Sequence, residues 1–288
     1  MLFSERIATR RQRWKIKKPA AVAYFNKTRS VELASKFGLY PPDTLHNIES
    51  IDSLPALDDL ANSFVLKPVS GSNSRGVFVV TKGIDSFTGE KFSLDYAKNR
   101  VGQIKGEAIG TQFVVEERLW NWDGSDDIPY DFKFYTFGKN VAFFHVVRRT
   151  NKGNEHWFFK PDCAPLNMKI QRTQEHCSRK LELPDNINDM LHLASKMGKH
   201  LNMFIRIDLY ATTTGIRFGE FTPFPHGGKG YTDDAEAWLG SLWKDKEGGQ
   251  FSLIKKLRKY LFARNNSSSP PRVNFCPKTV GYFYNTRY

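Results

Sequence analysis

Residues 204–222 constrain this chain more than any other stretch. Residues 204–211 and 216–222 read as two apolar strands folded back on each other around a Gly-containing turn at 212–215. A three-residue turn at 213–215 sets Asp208 of Arg206-Ile207-Asp208 directly opposite Glu220 of Glu220-Phe221-Thr222. Two carboxylates facing each other across a ladder repel. A bound Mg²⁺ removes that penalty, because it takes one or two protein carboxylates and completes its octahedron with water and substrate phosphates. Alternation puts Arg206 and Thr222 on the same face, adding a cation and a further oxygen. Asp208, Glu220 and Thr222 are therefore the candidate metal ligands. A surface hairpin shifted by one residue is the plain alternative.

A second feature precedes it. Lys67 lies near the end of a strand at 63–68, and the loop Val69-Ser70-Gly71-Ser72-Asn73-Ser74-Arg75-Gly76 leads into another strand at 77–81. Glycines let backbone N–H groups approach a polyphosphate without a Cβ clash, and a lysine supplies a point charge. No G-K-[ST] closes the loop, so it is not a Walker A motif. An ordinary polar hairpin loop competes with this reading.

The rest of the pattern mixes elements without a regular βαβ alternation, which indicates α+β. A helix is expected at 28–37, strands at 113–116, 132–138 and 141–149, a helix at 187–201, a basic amphipathic helix at 251–262 and a linker at 267–272. Forty per cent hydrophobic content excludes a disordered chain. The net charge is +13, yet residues 1–24 carry seven basic and one acidic residue, and 244–288 carry ten and two. The body between them is nearly neutral, with no nucleic-acid-reading motif, so no specific nucleic-acid partner is expected. Three cysteines without a C-x-x-C pair fit neither a disulfide framework nor zinc. No apolar run is long enough for a membrane span, and a cytoplasmic protein is expected.

Taken in order, the segments from about Tyr24 to Trp243 resemble the ATP-grasp superfamily of carboxylate-amine ligases. Asn26-Lys27-Thr28-Arg29-Ser30 before a helix resembles its first lysine, and F-V-L-K-P-V-S-G-S-N-S-R-G-V its second lysine with the glycine loop. Val114-Val115-Glu116-Glu117-Arg118-Leu119 resembles the hinge that meets adenine, and R-I-D…E-F-T the R-x-D…E-x-N metal signature. D-F-K-F-Y-T-F-G, R-I-D-L-Y-A-T-T-T-G-I-R-F-G-E-F-T and A-W-L-G-S-L-W are most similar to the teichuronopeptide-biosynthesis group.

The resemblance implies an ATP-grasp fold of two lobes, at 25–110 and 111–243, between a basic arm at 1–24 and a basic tail at 244–288. It implies that Lys27 and Lys67 hold ATP phosphates under Ser70, Gly71, Ser72 and Gly76. Glu116, Glu117 and Leu119 frame adenine, and Asp131 meets the ribose. Lys133 or Arg148 approaches the γ-phosphate or the acceptor carboxylate, Arg206 faces the developing oxyanion, and Asp208, Glu220 and Thr222 hold Mg²⁺ or Mn²⁺. Thr222 replaces the usual Asn. His226 is the expected base for the amine, His145 a packed histidine, and only one of Arg148 and Arg149 can point into a cleft. The implied reaction is amide formation between an amine and a carboxylate, such as a uronic acid or amino acid of a surface polysaccharide. An ATP-grasp phosphotransferase acting on a sugar hydroxyl is the alternative. The basic ends are expected to dock an acidic glycan or an anionic membrane surface.

Overall fold

The computed structural model describes residues 1–69, 74–104 and 110–243, with Lys27 and Thr28 described for backbone alone. Two antiparallel five-stranded sheets organise it. The first has the order β1-β5-β2-β3-β4, from β1 (Thr44–Ile48), β2 (Phe64–Pro68), β3 (Phe78–Thr81), β4 (Ile84–Asp85) and β5 (Phe113–Glu117). Phe64, Leu66, Phe78, Val80, Phe113 and Val115 form the apolar face of this sheet, closed by Phe92 and by Ala97 of α3 (Leu94–Gly102). Alternation sends Lys67 and Glu116 to the other face. Because β5 is the second strand, this sheet reaches Glu117, past the lobe boundary expected at residue 110.

The second sheet, β10-β9-β6-β7-β8, is built from β6 (Asp131–Phe137), β7 (Asn140–Thr150), β8 (Gly153–Phe159), β9 (Phe204–Thr212) and β10 (Gly215–Thr222). One face is covered by α4 (Ile187–Leu201), which matches the expected range. A Cβ on Gly198 of α4 would stand 2.3 Å from the Gly138 carbonyl oxygen, so the helix sits on the β6–β7 turn at glycine distance.

On the opposite face, α1 (Phe3–Ile16) and α5 (Asp233–Ser241) cover one end of the sheet. Phe3, Ile7, Tyr135, Phe137, Phe143, Phe158, Phe204, Tyr231 and Leu239 make one buried cluster there. The segment expected as a basic arm is therefore folded onto the body, with Arg10 and Trp14 buried at 3% and 9% exposure. Phe3, Ile7 and Trp14 recur at helical spacing, and burying that stripe outweighs the solvation of the charges beside it. α2 (Lys27–Ser35) starts one residue earlier than expected, where the Asn26 side chain accepts from the Arg29 N–H at 2.8 Å. The basic helix at 251–262 and the linker at 267–272 lie outside the described residues. Among the described residues no helix is long and apolar enough to cross a membrane.

Candidate active site

The β9–β10 hairpin reaches the expected pairing by an unexpected route. Its turn is tighter than expected: Gly215 pairs with Thr212, and this register alone would put Asp208 opposite Gly219. A β-bulge between Phe218 and Glu220 restores the offset, and Glu220 pairs with Asp208 and Thr222 with Arg206. Gly219 makes the bulge possible, since a Cβ there would lie 2.9 Å from the Asp208 carbonyl oxygen.

The side chains on this face converge. Arg206 donates from Nε to Asp208 Oδ1 and from Nη2 to Asp208 Oδ2, both at 2.7 Å. The same Nη2 lies 3.0 Å from Glu220 Oε1 and 3.0 Å from Thr222 Oγ1, and the Thr222 hydroxyl donates to Glu220 Oε1 at 2.7 Å. Three oxygens from two strands thus meet one cationic nitrogen. Burial opposes the Arg206 charge, but Asp208 and its neighbours outweigh it and raise the guanidinium pKa further. Among the described residues no cluster of three or more His, Cys, Asp or Glu side chains offers a metal site. Two carboxylates and a hydroxyl on one face are a donor set that Mg²⁺ takes, with water and phosphates as its remaining ligands, although the point where they meet is filled here by Arg206 Nη2.

Lys133 and Asp131 extend the cluster along β6. Lys133 Nζ lies 2.8 Å from Asp208 Oδ2 and 3.3 Å from Asp131 Oδ2, and Arg149 of β7 also pairs with Asp131. Burial would raise the Asp131 carboxyl, but Arg149 and Lys133 hold it well below the ordinary carboxylate range. Asp131 is 3% exposed and closed in by these cations. Tyr210 also faces Asp131, and that charge, with burial, pushes its hydroxyl well above the ordinary tyrosine value.

Arg149, and not Arg148, is the arginine on this face. Register fixes the choice: Asp131 pairs with Val147, so odd positions of β7 share its side. Arg148 points the other way, to Asp127 Oδ2 at 2.8 Å and Glu155 Oε2 at 3.0 Å.

His145 is a packed histidine, as expected: it is 2% exposed, stacks on Phe158 at 4.3 Å and meets His156 Nδ1 at 2.9 Å. His226 sits in a 3₁₀ turn, Pro225–Gly228, directly beyond the metal strand. Partial desolvation, then the Arg206 and Lys133 charges, push it down to about 4, although the residue is partly open to solvent. It is therefore neutral at pH 7.

On the first sheet, Lys67 pairs with Glu116 at 2.6 Å. Glu117 accepts from the Asp43 N–H at 2.9 Å and pairs with Arg217 of β10, tying the two sheets together. Leu119 is buried, and its carbonyl accepts from Arg118. Arg118 was not singled out from the sequence, yet it organises the segment after β5: it also donates to the Asp126 and Asp127 carbonyls at 3.0 and 2.6 Å and to Thr81 Oγ1 at 3.1 Å. Burial lowers its pKa to about 10, which leaves it charged. Gly76 closes the small-residue loop with φ at 70°. Ser70, Gly71, Ser72 and the Lys27 side chain lie outside the described residues.

A TupA-like ATPgrasp family model matches residues 43–244. No curated protein matches the chain. Among solved structures, an ATP-grasp ligase PsnB complexed with a phosphomimetic variant of its minimal precursor, Mg and ADP aligns with 72% of this chain and 52% of its own, at 13% identity and a TM-score of 0.39. D-Alanine-D-alanine ligase from Helicobacter pylori aligns over 77% and 60%, at 18% identity and 0.41. The macrocyclase MdnC bound with precursor peptide MdnA from Microcystis aeruginosa aligns over 71% and 54%, at 16% and 0.36. The chain spans between about half and three fifths of the length of these proteins.

Proposed function

Because the chain belongs to the TupA-like ATP-grasp family, we propose that it is an ATP-dependent ligase that joins a carboxylate to an amine through an acyl phosphate. The convergence of Asp208, Glu220 and Thr222 on one point beside Lys133 and Arg149 carries this reading. It gathers oxygen donors suited to a metal cation and two positive side chains on one face, which supports phosphoryl transfer without a protein nucleophile.

In the first step a carboxylate oxygen of the acceptor attacks the γ-phosphorus and ADP leaves. Lys67 holds the phosphates from the first sheet, with Lys27 of α2 as the second lysine, Lys133 faces the transferred group, and Arg149 takes the acceptor carboxylate. Asp131 keeps Lys133 and Arg149 aimed. Mg²⁺ or Mn²⁺, held by Asp208, Glu220 and Thr222, would neutralise charge on the phosphoryl oxygens. In the second step the amine attacks the acyl carbon, Arg206 stabilises the oxyanion, phosphate leaves, and neutral His226 accepts the surplus amine proton.

The acceptor is a uronic acid or an amino acid carried by a surface polysaccharide, and the excess of basic residues at both ends of the chain supports an acidic partner. Action in the cytoplasm, at the inner face of the membrane, follows from that substrate class. The test is an ADP-release screen of uronic and amino acids against amines, with mass spectrometry of the products. An amide product is expected. A product that gains a phosphoryl group and no amine would overturn the ligase in favour of a phosphotransferase.

A further inference from the structure

The oxygens of the candidate metal site sit where a hairpin is least constrained. Glu220 and Thr222 lie beyond the bulge at Gly219, at the end of β10, which is an edge strand with a single neighbour. The closed turn of the hairpin is at the far end, and edge-strand termini fray most easily.

One side chain from outside the family-matched segment ties the open end. Arg10 of α1 donates from Nη1 to the Phe204 carbonyl and to the Pro223 carbonyl, each at 3.1 Å. Phe204 opens β9 two residues before Arg206, and Pro223 directly follows Thr222. Arg10 is 3% exposed, and its guanidinium carbon lies 4.2 Å from the centre of the Trp243 ring, 5.3 Å from that of Trp14 and 5.5 Å from that of Phe204. Its planar, always charged fork suits a bridge between two carbonyls inside an aromatic cage.

The same helix holds the turn that follows. His226, Gly227 and Gly228 have φ values of 51°, 63° and 80°, a left-handed run that is uncommon for a residue with a side chain. A Cβ on Gly228 would lie 2.5 Å from Ile7 Cγ2, Arg11 Nη2 donates to the Gly227 carbonyl at 3.4 Å, and the Arg11 guanidinium lies 5.1 Å from Phe224.

We propose that Arg10 is a positioning residue of the active site: it fixes the separation of β9 and β10 at their open ends, so that the Asp208, Glu220 and Thr222 oxygens, which meet here at Arg206 Nη2, stay close enough to share one metal cation. The proposal rests on the ligase reading for its metal. Its test is binding of Mn²⁺ by the full chain with a non-hydrolysable ATP analogue, followed by electron paramagnetic resonance, alongside thermal unfolding. Arg10→Met keeps the bulk and loses the donors; its Mn²⁺ affinity is expected to fall about tenfold well below its melting temperature. Arg10→Lys, which keeps a cation over Trp243 and a donor, is expected to recover part of that loss. Wild-type Mn²⁺ affinity in a folded Arg10→Met protein overturns the proposal, and should that variant not fold, so does wild-type affinity in Arg10→Lys with a lowered melting temperature. Amide formation is read separately, so a wild-type protein that binds Mn²⁺ and makes no amide defeats the ligase and leaves the comparison intact. A wild-type protein that binds no Mn²⁺ overturns both.

Discussion

Gly219 lies so close to Asp208 that a single methyl group between them would meet the Asp208 carbonyl oxygen at 2.9 Å. The bulge that brings Glu220 opposite Asp208 therefore depends on a missing side chain. Gly219→Ala is expected to push β10 out of register at Glu220. Mg²⁺-dependent ADP release should fall about tenfold or more, with a smaller effect on the melting temperature. A Mg²⁺ titration of wild type and variant checks this.

Glu220→Gln keeps the shape of the site and removes one charge. Arg206 Nη2 retains Asp208 and Thr222 as acceptors, so the fold should hold. ADP formation is expected to drop about 100-fold or more at saturating ATP, measured by a coupled ADP assay.

The neighbouring arginines on β7 separate structural from chemical roles. Arg149→Gln should lose about tenfold or more of kcat/KM, because Asp131 and the acceptor both lose a cation. Arg148→Gln removes partly exposed pairs with Asp127 and Glu155. It should leave turnover near wild type and cost about 1 kcal/mol of stability or less. Steady-state kinetics and urea unfolding on both variants distinguish the two.

Buried, neutral histidine makes the protein acid-sensitive. Burial, then His156, Lys133, Arg206 and His226, hold His145 well below the ordinary histidine value. The unfolded chain binds a proton there as pH falls below about 6.5, while the native protein does not, so stability is lost as the solution becomes more acid. His156, lowered mainly by burial, acts in the same direction. Urea unfolding between about pH 7 and pH 5 should show the slope, and His145→Gln should reduce it by up to about 1.4 kcal/mol per pH unit.

Much of this molecule was legible in the sequence because its signals are local. The apolar spacing of residues 187–201 gave α4 its bounds, and alternation placed Arg206, Asp208, Glu220 and Thr222 on one face. The pairing of Asp208 with Glu220 was read correctly through a compensation: a tighter turn and a bulge shift the ladder in opposite directions. A glycine inside a strand was the visible sign of the bulge. The choice between Arg148 and Arg149 depended on the phase of β7 against β6, a long-range property that alternation alone does not supply. The basic residues of α1 masked its apolar stripe, and the burial of Arg10 depends on carbonyls about two hundred positions away in the chain. The cations that enclose Asp131 come from two different strands, so its pairing was not visible in the sequence.

On the active-site face, Asp131, Asp208 and Glu220 alternate with Lys133, Arg149 and Arg206. Such a lattice of opposite charges is its own counter-ion atmosphere. The candidate site therefore has no need of a borrowed ion to keep its shape, and if the ligase reading holds, a chelator should stop ADP release without lowering the melting temperature. Selectivity then begins with exchange: an arriving anion gains a lysine only by evicting a carboxylate. On the proposed ligase reading, a lone phosphate is poorly equipped for that exchange, whereas a nucleotide that also brings a cation for the displaced carboxylates leaves every partner matched.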